Sequence, residues 1–195
     1  MKLYYSPGAC SLATHIALIE AGIPYQLISV GRDKFTGDGR NFIKINPKGY
    51  VPALELDDGN VMTENLAILM FIAHSSGMLL ASQGMARWRV LEATVFMTTE
   101  IHGNFKPFFH AGATEAEQDK AKSLLIKNFG LLSEQLGEKE YLVGEEPTIA
   151  DIYLFVMLSW LDHLKLEGAE PFQGYLQRMK SLPSVQLALK EEGLI

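Results

Sequence analysis

The sequence predicts an α/β domain at the N-terminus followed by an all-helical domain. Short β-prone runs alternate with helical patterns in the first third of the chain, and no convincing strand follows Ser75-Ser76-Gly77. Further on, two Thr-initiated capping patterns open apolar helices. We therefore expect a first domain over residues 1–76, a linker over 77–85 and a helical domain over 86–195.

The elements of the first domain follow from local patterns. The expected strands are residues 2–5, 25–30, 53–56 and 61–62. A helical repeat runs over 11–21 and ends at Gly22, and residues 31–40 form a charged surface loop. Residues 57–60 make a hairpin turn, after which Thr63 is the expected N-cap of a helix from Glu64 to about residue 74.

The second part of the chain carries helical signals only. Apolar residues from 86 to about 110 have helical spacing, although Gly103 and Pro107 should bend or end that helix. A capping box at 114–117 opens a helix that Gly137 closes. A second Thr-initiated start at 148–151 opens a helix that is apolar on every side and should cross the middle of the helical core. Two short helices, near 171–181 and 184–192, complete the prediction.

Composition excludes several classes of function. Seventeen Lys and Arg against 23 Asp and Glu give a formal net charge of −6, without the basic run that nucleic-acid binding requires. No apolar stretch reaches the length of about 18 residues that a transmembrane helix needs, and no signal-like segment opens the chain. The single cysteine, the scattered histidines and the missing phosphate-binding glycine runs argue against disulfide, metal and nucleotide sites. We expect a cytoplasmic protein.

The single cysteine, Cys10, lies where the first strand and turn meet a helix. Unpaired backbone N–H groups there stabilise a thiolate, so we expect the pKa of Cys10 to fall below its reference value of about 8.5. Ser11 offers a hydroxyl to the sulfur or to a ligand anion. Because residue 13 is alanine, two-cysteine redox cycling is excluded. The alternative is that Cys10 is a small buried apolar residue.

Two further segments suit a peptide ligand. In the segment 49–54, a cis bond at Pro52 would leave the backbone of Val51 facing outward for an added strand, although base rates favour an ordinary trans proline. At residues 63–65, helix N–H groups can bind a carboxylate while the Glu64 carboxylate binds an ammonium group. Plain N-capping is the alternative for that second segment.

Four segments together resemble the bacterial beta-class glutathione S-transferases, in the order and spacing of that family. They are residues 5–11, 46–54, 63–68 and 148–151. The resemblance implies a thioredoxin-like N-terminal domain of order β-α-β-α-β-β-α, an all-helical C-terminal domain and a homodimer. The residues themselves predict an irregular stretch in place of the second of those helices.

The resemblance also implies roles for individual residues, with glutathione as co-substrate and no metal. Cys10 would lie against the glutathione sulfur and form a mixed disulfide with it, and His102 would approach that thiol. The backbone of Val51, before a cis Pro52, would pair with the cysteinyl part of the tripeptide, and Glu64 with Asn65 would hold its γ-glutamyl end. The other glutathione-binding candidates are Ser11, Lys34 and Tyr50, and a pocket for a hydrophobic electrophile would be formed by Phe105, Phe108 and Phe109.

The sequence departs from the family pattern at several positions. Gly103 follows the histidine where lysine is common, Val95 stands where an asparagine is frequent, and Asn65 replaces a usual serine or glycine. The loop 31–40 is shortened, which makes Lys34 a substitute contact. Fewer polar contacts predict weaker glutathione binding.

The leading interpretation is an enzyme that conjugates glutathione to small hydrophobic electrophiles or exchanges its thiol through Cys10. In these mechanisms either the glutathione sulfur or the Cys10 sulfur can be the working thiolate. Two alternatives stay open. One is a non-catalytic or weakly active stress or partner-binding protein of the same fold, which Val95 and Gly103 favour. The other is a glutathione-dependent isomerase or dehalogenase. His15, on the first helix, is expected to be structural.

Overall fold

The computed structural model describes residues 1–195 and divides into two compact units, Met1–Leu80 with Ser181–Ile195, and Ala81–Lys180. The boundary after residue 80 falls in the predicted linker. The segment 181–195 belongs to the first unit, however, and the prediction that assigned it to the helical domain differs from the structure in this respect. No helix combines the length and apolar character that a bilayer crossing demands.

The elements of the first unit are β1 (Lys2–Tyr5), α1 (Ser11–Glu20), β2 (Gln26–Ser29), a 3₁₀ turn (Phe42–Lys44), β3 (Ala53–Glu55), β4 (Val61–Thr63) and α2 (Asn65–Ser76). The second unit contains α3 (Gly84–Phe96), the π-segment (Met97–Ile101), a 3₁₀ turn (His102–Phe105), α4 (Lys106–Phe109), α5 (Glu115–Leu136), α6 (Ile149–Leu164), a 3₁₀ turn (Glu170–Phe172) and α7 (Gln173–Ser181). The last helix, α8 (Pro183–Glu191), lies in the first unit.

A four-stranded mixed sheet in the order β2-β1-β3-β4 forms the centre of the first unit. β1 is parallel to β2 and antiparallel to β3, so Leu3 lies opposite both Leu27 and Leu54. Neighbouring residues of a strand point to opposite faces, and both Leu3 and Tyr4 are fully buried, so both faces are covered. The predicted α/β domain is confirmed.

The connection between β2 and β3 is less regular than the resemblance implied. Isolated bridges at Val30–Thr36 and Phe35–Asn41 hold the first half of this connection. Only the 3₁₀ turn Phe42–Lys44 follows, where Asn41 accepts a hydrogen bond from the Ile43 N–H. The order is therefore β-α-β, one short turn, then β-β-α, as the residues themselves indicated.

A polar cluster between α1 and the C-terminal segment explains why residues 181–195 belong to the first unit. The fully buried His15 places Nδ1 3.0 Å from Glu192 Oε1 and Nε2 2.8 Å from Glu191 Oε2. The Tyr25 hydroxyl donates to Glu191 Oε2 at 2.6 Å, and the Gly8 N–H donates to Glu192 Oε2 at 2.9 Å. The structural role expected for His15 agrees with this arrangement, since its two ring nitrogens are both used.

Two capping boxes fix the long helices of the second unit where the sequence predicts them. Thr114 and Glu117 cap α5, and Thr148 and Asp151 cap α6. From Ile149 to Leu158 every residue of α6 is buried, which confirms that this helix crosses the core of its unit.

The helix predicted over residues 86–110 is interrupted earlier than Gly103 and Pro107 suggest. Regular α-helix ends at Phe96, and the π-segment and a 3₁₀ turn precede the short α4. The hydroxyls of Thr94, Thr98 and Thr99 each donate to the carbonyl four residues before. Such bonds compete with the helical ladder and bend it, so the threonines are a local cause of the break.

Candidate active site

Cys10 occupies the N-cap of α1 and points at the segment before β3. Its thiol donates to the carbonyl oxygen of Val51, with Sγ and O separated by 3.4 Å. The cysteine is half-buried. Since residues 10 and 51 are far apart in sequence, this contact brings two of the predicted site segments together.

Burial raises the pKa of Cys10 to about 12, and the negative charge of Glu64 acts in the same direction. The backbone N–H groups of Cys10 and Ser11 oppose this rise, which is the stabilisation expected at a helix N-terminus. Desolvation is the larger effect, so the prediction of a lowered pKa is wrong. At neutral pH the residue is a thiol that donates a hydrogen bond.

The peptide bond between Val51 and Pro52 is cis, as the resemblance implied. Pro52 is buried while Val51 is half-buried, and β3 begins directly afterwards at Ala53. The Asn46 side chain holds the approach to this bond by donating from Nδ2 to the Tyr50 carbonyl at 2.8 Å. The Tyr50 side chain itself is 54% exposed.

Glu64 and Asn65 form the start of α2, but Thr63 is not its N-cap. Thr63 stays in β4 opposite Ala53, and Glu64 takes the N-cap position with φ 69°, a left-handed conformation that is rare for a residue with a side chain. No side chain caps the helix at this point. The exposed Glu64 carboxylate lies 2.5 Å from Lys48 Nζ.

Asn65 presents an unpaired donor in this region. Its Oδ1 accepts from the Thr14 hydroxyl at 2.9 Å, whereas Nδ2 is buried without a hydrogen-bond partner. A buried donor left unsatisfied costs about 1–3 kcal/mol, which a ligand acceptor would relieve. Lys48, which sequence reasoning gave no role, belongs to the same surface. Its position two residues before Tyr50, within the segment 46–54 that resembles the family, was the available signal.

Ser11 and Lys34, two other predicted glutathione contacts, lie in different surroundings, since the first is buried and the second is exposed. The Ser11 hydroxyl is buried and turned toward Ser6, whose backbone N–H and carbonyl both lie 3.3 Å from Oγ. It therefore completes the turn before Cys10 rather than facing a ligand. Lys34 is exposed in the loop, with φ 65°.

In the second unit, His102 begins the 3₁₀ turn His102–Phe105, and its side chain packs against α6. Its Nδ1 is 2.5 Å from the Tyr153 hydroxyl, and its ring centroid is 5.1 Å from that of Trp160. Burial lowers the pKa of His102, and the positive charge of Lys106 lowers it further. The imidazole is therefore neutral at pH 7.

The three phenylalanines of the predicted pocket differ in exposure. Phe105 is 1% exposed and packs edge-on against Phe129 and Trp160, so the structure places it in the core rather than at a pocket wall. Phe108 is half-buried, and Phe109 is 56% exposed. Only these last two are accessible to a ligand.

The first unit, with its mixed sheet, a thiol at the first helix and a cis proline before β3, defines a thioredoxin-like domain, here joined to a helical unit. The family description "Glutathione S-transferase, N-terminal domain" matches residues 8–75, and "Glutathione S-transferase, C-terminal domain" matches residues 96–183. Glutathione S-transferase GstA of Escherichia coli O157:H7 is 40% identical over 200 residues, covering 100% of both chains.

Solved structures agree with these matches. A beta-class glutathione S-transferase from Sphingomonas chungbukensis superposes with a TM-score of 0.93 at 38% identity, covering 100% of both chains. A sphingomonad glutathione S-transferase complexed with glutathione gives a TM-score of 0.93 at 37% identity, with the same coverage. The chain belongs to the glutathione S-transferase family, and the resemblance to its bacterial beta class is confirmed.

Proposed function

We propose that the chain binds glutathione in its first unit and conjugates it, through its sulfur, to small hydrophobic electrophiles. The contact between the Cys10 thiol and the Val51 carbonyl carries this proposal, because it joins the only cysteine to the backbone beside the cis proline. A relative of the same fold is solved with glutathione bound. A protein that works with a free thiol and with reduced glutathione suits the cytoplasm.

The site accommodates glutathione as an extended peptide. Its cysteinyl backbone would pair with Val51, which places its sulfur beside Cys10 and the N-terminus of α1. Its γ-glutamyl ammonium group suits Glu64, and its carboxylate suits the unpaired Nδ2 of Asn65. The Cys10 thiol then donates to the glutathione thiolate instead of to Val51.

The reaction follows from this arrangement. Glutathione loses its thiol proton to solvent, its sulfur forms a bond to the electrophilic carbon, and that carbon releases its leaving group, such as halide. Orientation and stabilisation of the thiolate supply the acceleration. Thiol exchange through Cys10 is the second candidate, and the pKa of about 12 disfavours it because Cys10 must first lose its own proton.

Exchanging Glu64 for glutamine tests the glutathione site. Glu64→Gln should raise the dissociation constant for glutathione by about 10- to 100-fold, because the ammonium group loses a charged acceptor worth about 1.5–3 kcal/mol. Isothermal titration calorimetry measures this change, and turnover of an aryl halide with glutathione measures activity.

Glu167→Gln is the matched control for that experiment. Glu167 is also exposed and paired with a lysine, at 2.9 Å from Lys122, but it lies in the second unit. Its exchange should leave glutathione affinity unchanged. If the unaltered chain is folded yet neither binds immobilised glutathione nor turns over the aryl halide, it is a non-catalytic protein of this fold.

The same proposal includes a homodimer formed through the α3 surface, which we define as Met85, Trp88, Leu91, Val95 and Phe96. These side chains line an open groove of about 500 Å³. Trp88 is 60% exposed and Met85 63%, and a single helix face that exposes large apolar side chains is typical of an interface. Val95 is 45% exposed on this surface.

Trp88→Glu should dissociate the homodimer. A charge replacing a large aromatic side chain at the interface should weaken self-association at least about 30-fold, which corresponds to about 2 kcal/mol. Analytical ultracentrifugation over a concentration series measures the dissociation constant. Leu131→Glu is the control, since Leu131 is a 47% exposed apolar residue on α5 outside this surface. A Trp88→Glu protein that stays dimeric like the control would contradict the assignment.

A further inference from the structure

The break after α3 sets the direction in which His102 faces. In the π-segment the His102 N–H bonds to the carbonyl of Met97, five residues before, instead of four. One residue of extra length turns everything that follows by about 100° around the helix axis, since an α-helix has about 3.6 residues per turn. The position of His102 therefore depends on keeping this irregular backbone.

Two side-chain amides stabilise the irregular backbone at Glu100. The Glu100 carbonyl accepts from Asn128 Nδ2 and from Asn104 Nδ2, both at 2.7 Å. Asn104 comes from the same stretch of chain, two residues after His102. Asn128 comes from α5 and thus ties the π-segment to a separate, long helix.

Asn128 is unusual among the buried residues of α5. The others are apolar: Ala121, Leu125, Phe129, Leu132 and Leu136. Asn128 is only 7% exposed, and a buried amide is costly unless it is hydrogen-bonded. Its bond to the Glu100 carbonyl accounts for its place in an otherwise apolar face.

On the other side, His102 is held by α6. Its Nδ1 meets the Tyr153 hydroxyl at 2.5 Å and its ring packs on Trp160. An imidazole whose Nδ1 accepts from the Tyr153 hydroxyl carries its proton on Nε2 and has that N–H available as a donor. This contact with α6 requires the backbone direction that the π-segment provides.

We propose that Asn128 is a positioning residue for His102: by holding the Glu100 carbonyl, it maintains the π-segment and directs the imidazole onto Tyr153. The inference rests on the proposed function only where it predicts a change in turnover. The position of the ring does not depend on that function.

NMR titration of the imidazole protons measures the pKa of His102. This measurement tests directly whether Asn128 positions the ring. The groups that face the ring are Lys106 and Tyr153, and burial together with Lys106 holds the pKa below its ordinary range. Asn128→Leu removes the amide at similar size, and Asn128→Ser is too short to reach the Glu100 carbonyl. In either variant the released ring should become more exposed, and the pKa of His102 should rise toward its ordinary value of about 6.5.

Gln118→Leu is the matched control. Gln118 is also on α5 and also donates its amide to a carbonyl, that of Pro107 at 3.3 Å. It should leave the pKa of His102 unchanged. The His102 resonance among the five histidines is assigned from its loss in His102→Gln. Leucine and serine differ in size and polarity, so the two Asn128 variants are unlike in how they pack. If one of them fails to fold, the other still tests the proposal.

An Asn128 variant that folds and keeps the wild-type pKa of His102 would overturn the proposal. Kinetics then separate it from the proposed function. If glutathione transfer occurs, Asn128 variants should lower kcat while the KM for glutathione changes less than twofold, because Asn128 lies outside the first unit. A shifted pKa of His102 in a chain without transferase activity would leave the positioning role intact and remove the proposed function.

Discussion

Alkylation of Cys10 by iodoacetamide is expected to accelerate about tenfold with each pH unit from pH 7 to pH 10. Only the thiolate reacts, and burial raises the pKa of Cys10 to about 12, so the thiolate fraction is near 10⁻⁵ at pH 7 and grows through this whole interval. Because the chain has one cysteine, the mass of the intact protein reports the reaction at this residue alone.

Free glutathione, alkylated in parallel, is the reference for an unperturbed thiol, whose rate levels off near its ordinary pKa of about 8.5. Glu64→Gln should increase the rate at Cys10, since the charge of Glu64 contributes to the raised pKa. A rate at Cys10 that levels off below pH 9 would contradict the expectation. It would also favour thiol exchange through Cys10 over conjugation by the glutathione sulfur.

Asp151→Ala is expected to reduce the free energy of unfolding by about 3–5 kcal/mol. The buried carboxylate accepts from the N–H groups of Leu142 and Thr148 at 2.8 and 2.9 Å, from the Thr148 hydroxyl at 2.7 Å and from the Tyr175 hydroxyl at 3.2 Å. Alanine leaves these donors unsatisfied inside the unit and removes the cap of its central helix. Urea denaturation followed by circular dichroism measures the change.

The other capping box provides the comparison. Glu117 caps α5 in the same way, accepting from the Thr114 N–H at 2.7 Å, but it is exposed. Glu117→Ala should cost only about 0.5–1 kcal/mol because water can replace its bonds. An equal reduction in the free energy of unfolding in the two variants would show that burial does not determine how much the Asp151 cap stabilises the protein.

Both capping boxes were predictable from sequence because their partners lie three residues apart. The same holds for β1, whose four residues were predicted without error, and for Gly137 after α5. The C-terminal segment was assigned to the wrong unit because its anchor, the contact of His15 with Glu192, joins residues 177 positions apart. No local pattern signals such a pairing.

In the candidate site, too, the sequence predicted the local features and not those that depend on tertiary contacts. The motif spacing led to Cys10, Val51 and Glu64, and the structure joins the first two through a hydrogen bond. The pKa of Cys10 could not be predicted, because the helix N-terminus is a local feature whereas desolvation comes from tertiary packing. Phe105 was assigned to a pocket for a similar reason, since helical spacing does not separate a core face from a ligand-facing one.

The packing of α8 against α1 affects the order in which the two units can fold during synthesis. The buried His15 acquires its carboxylate partners from Glu191 and Glu192, near the far end of the chain. Synthesis proceeds from the N-terminus, so residues 81–180 leave the ribosome before the first unit can close. The thioredoxin-like domain is therefore completed only after the helical unit between its two segments has been synthesised.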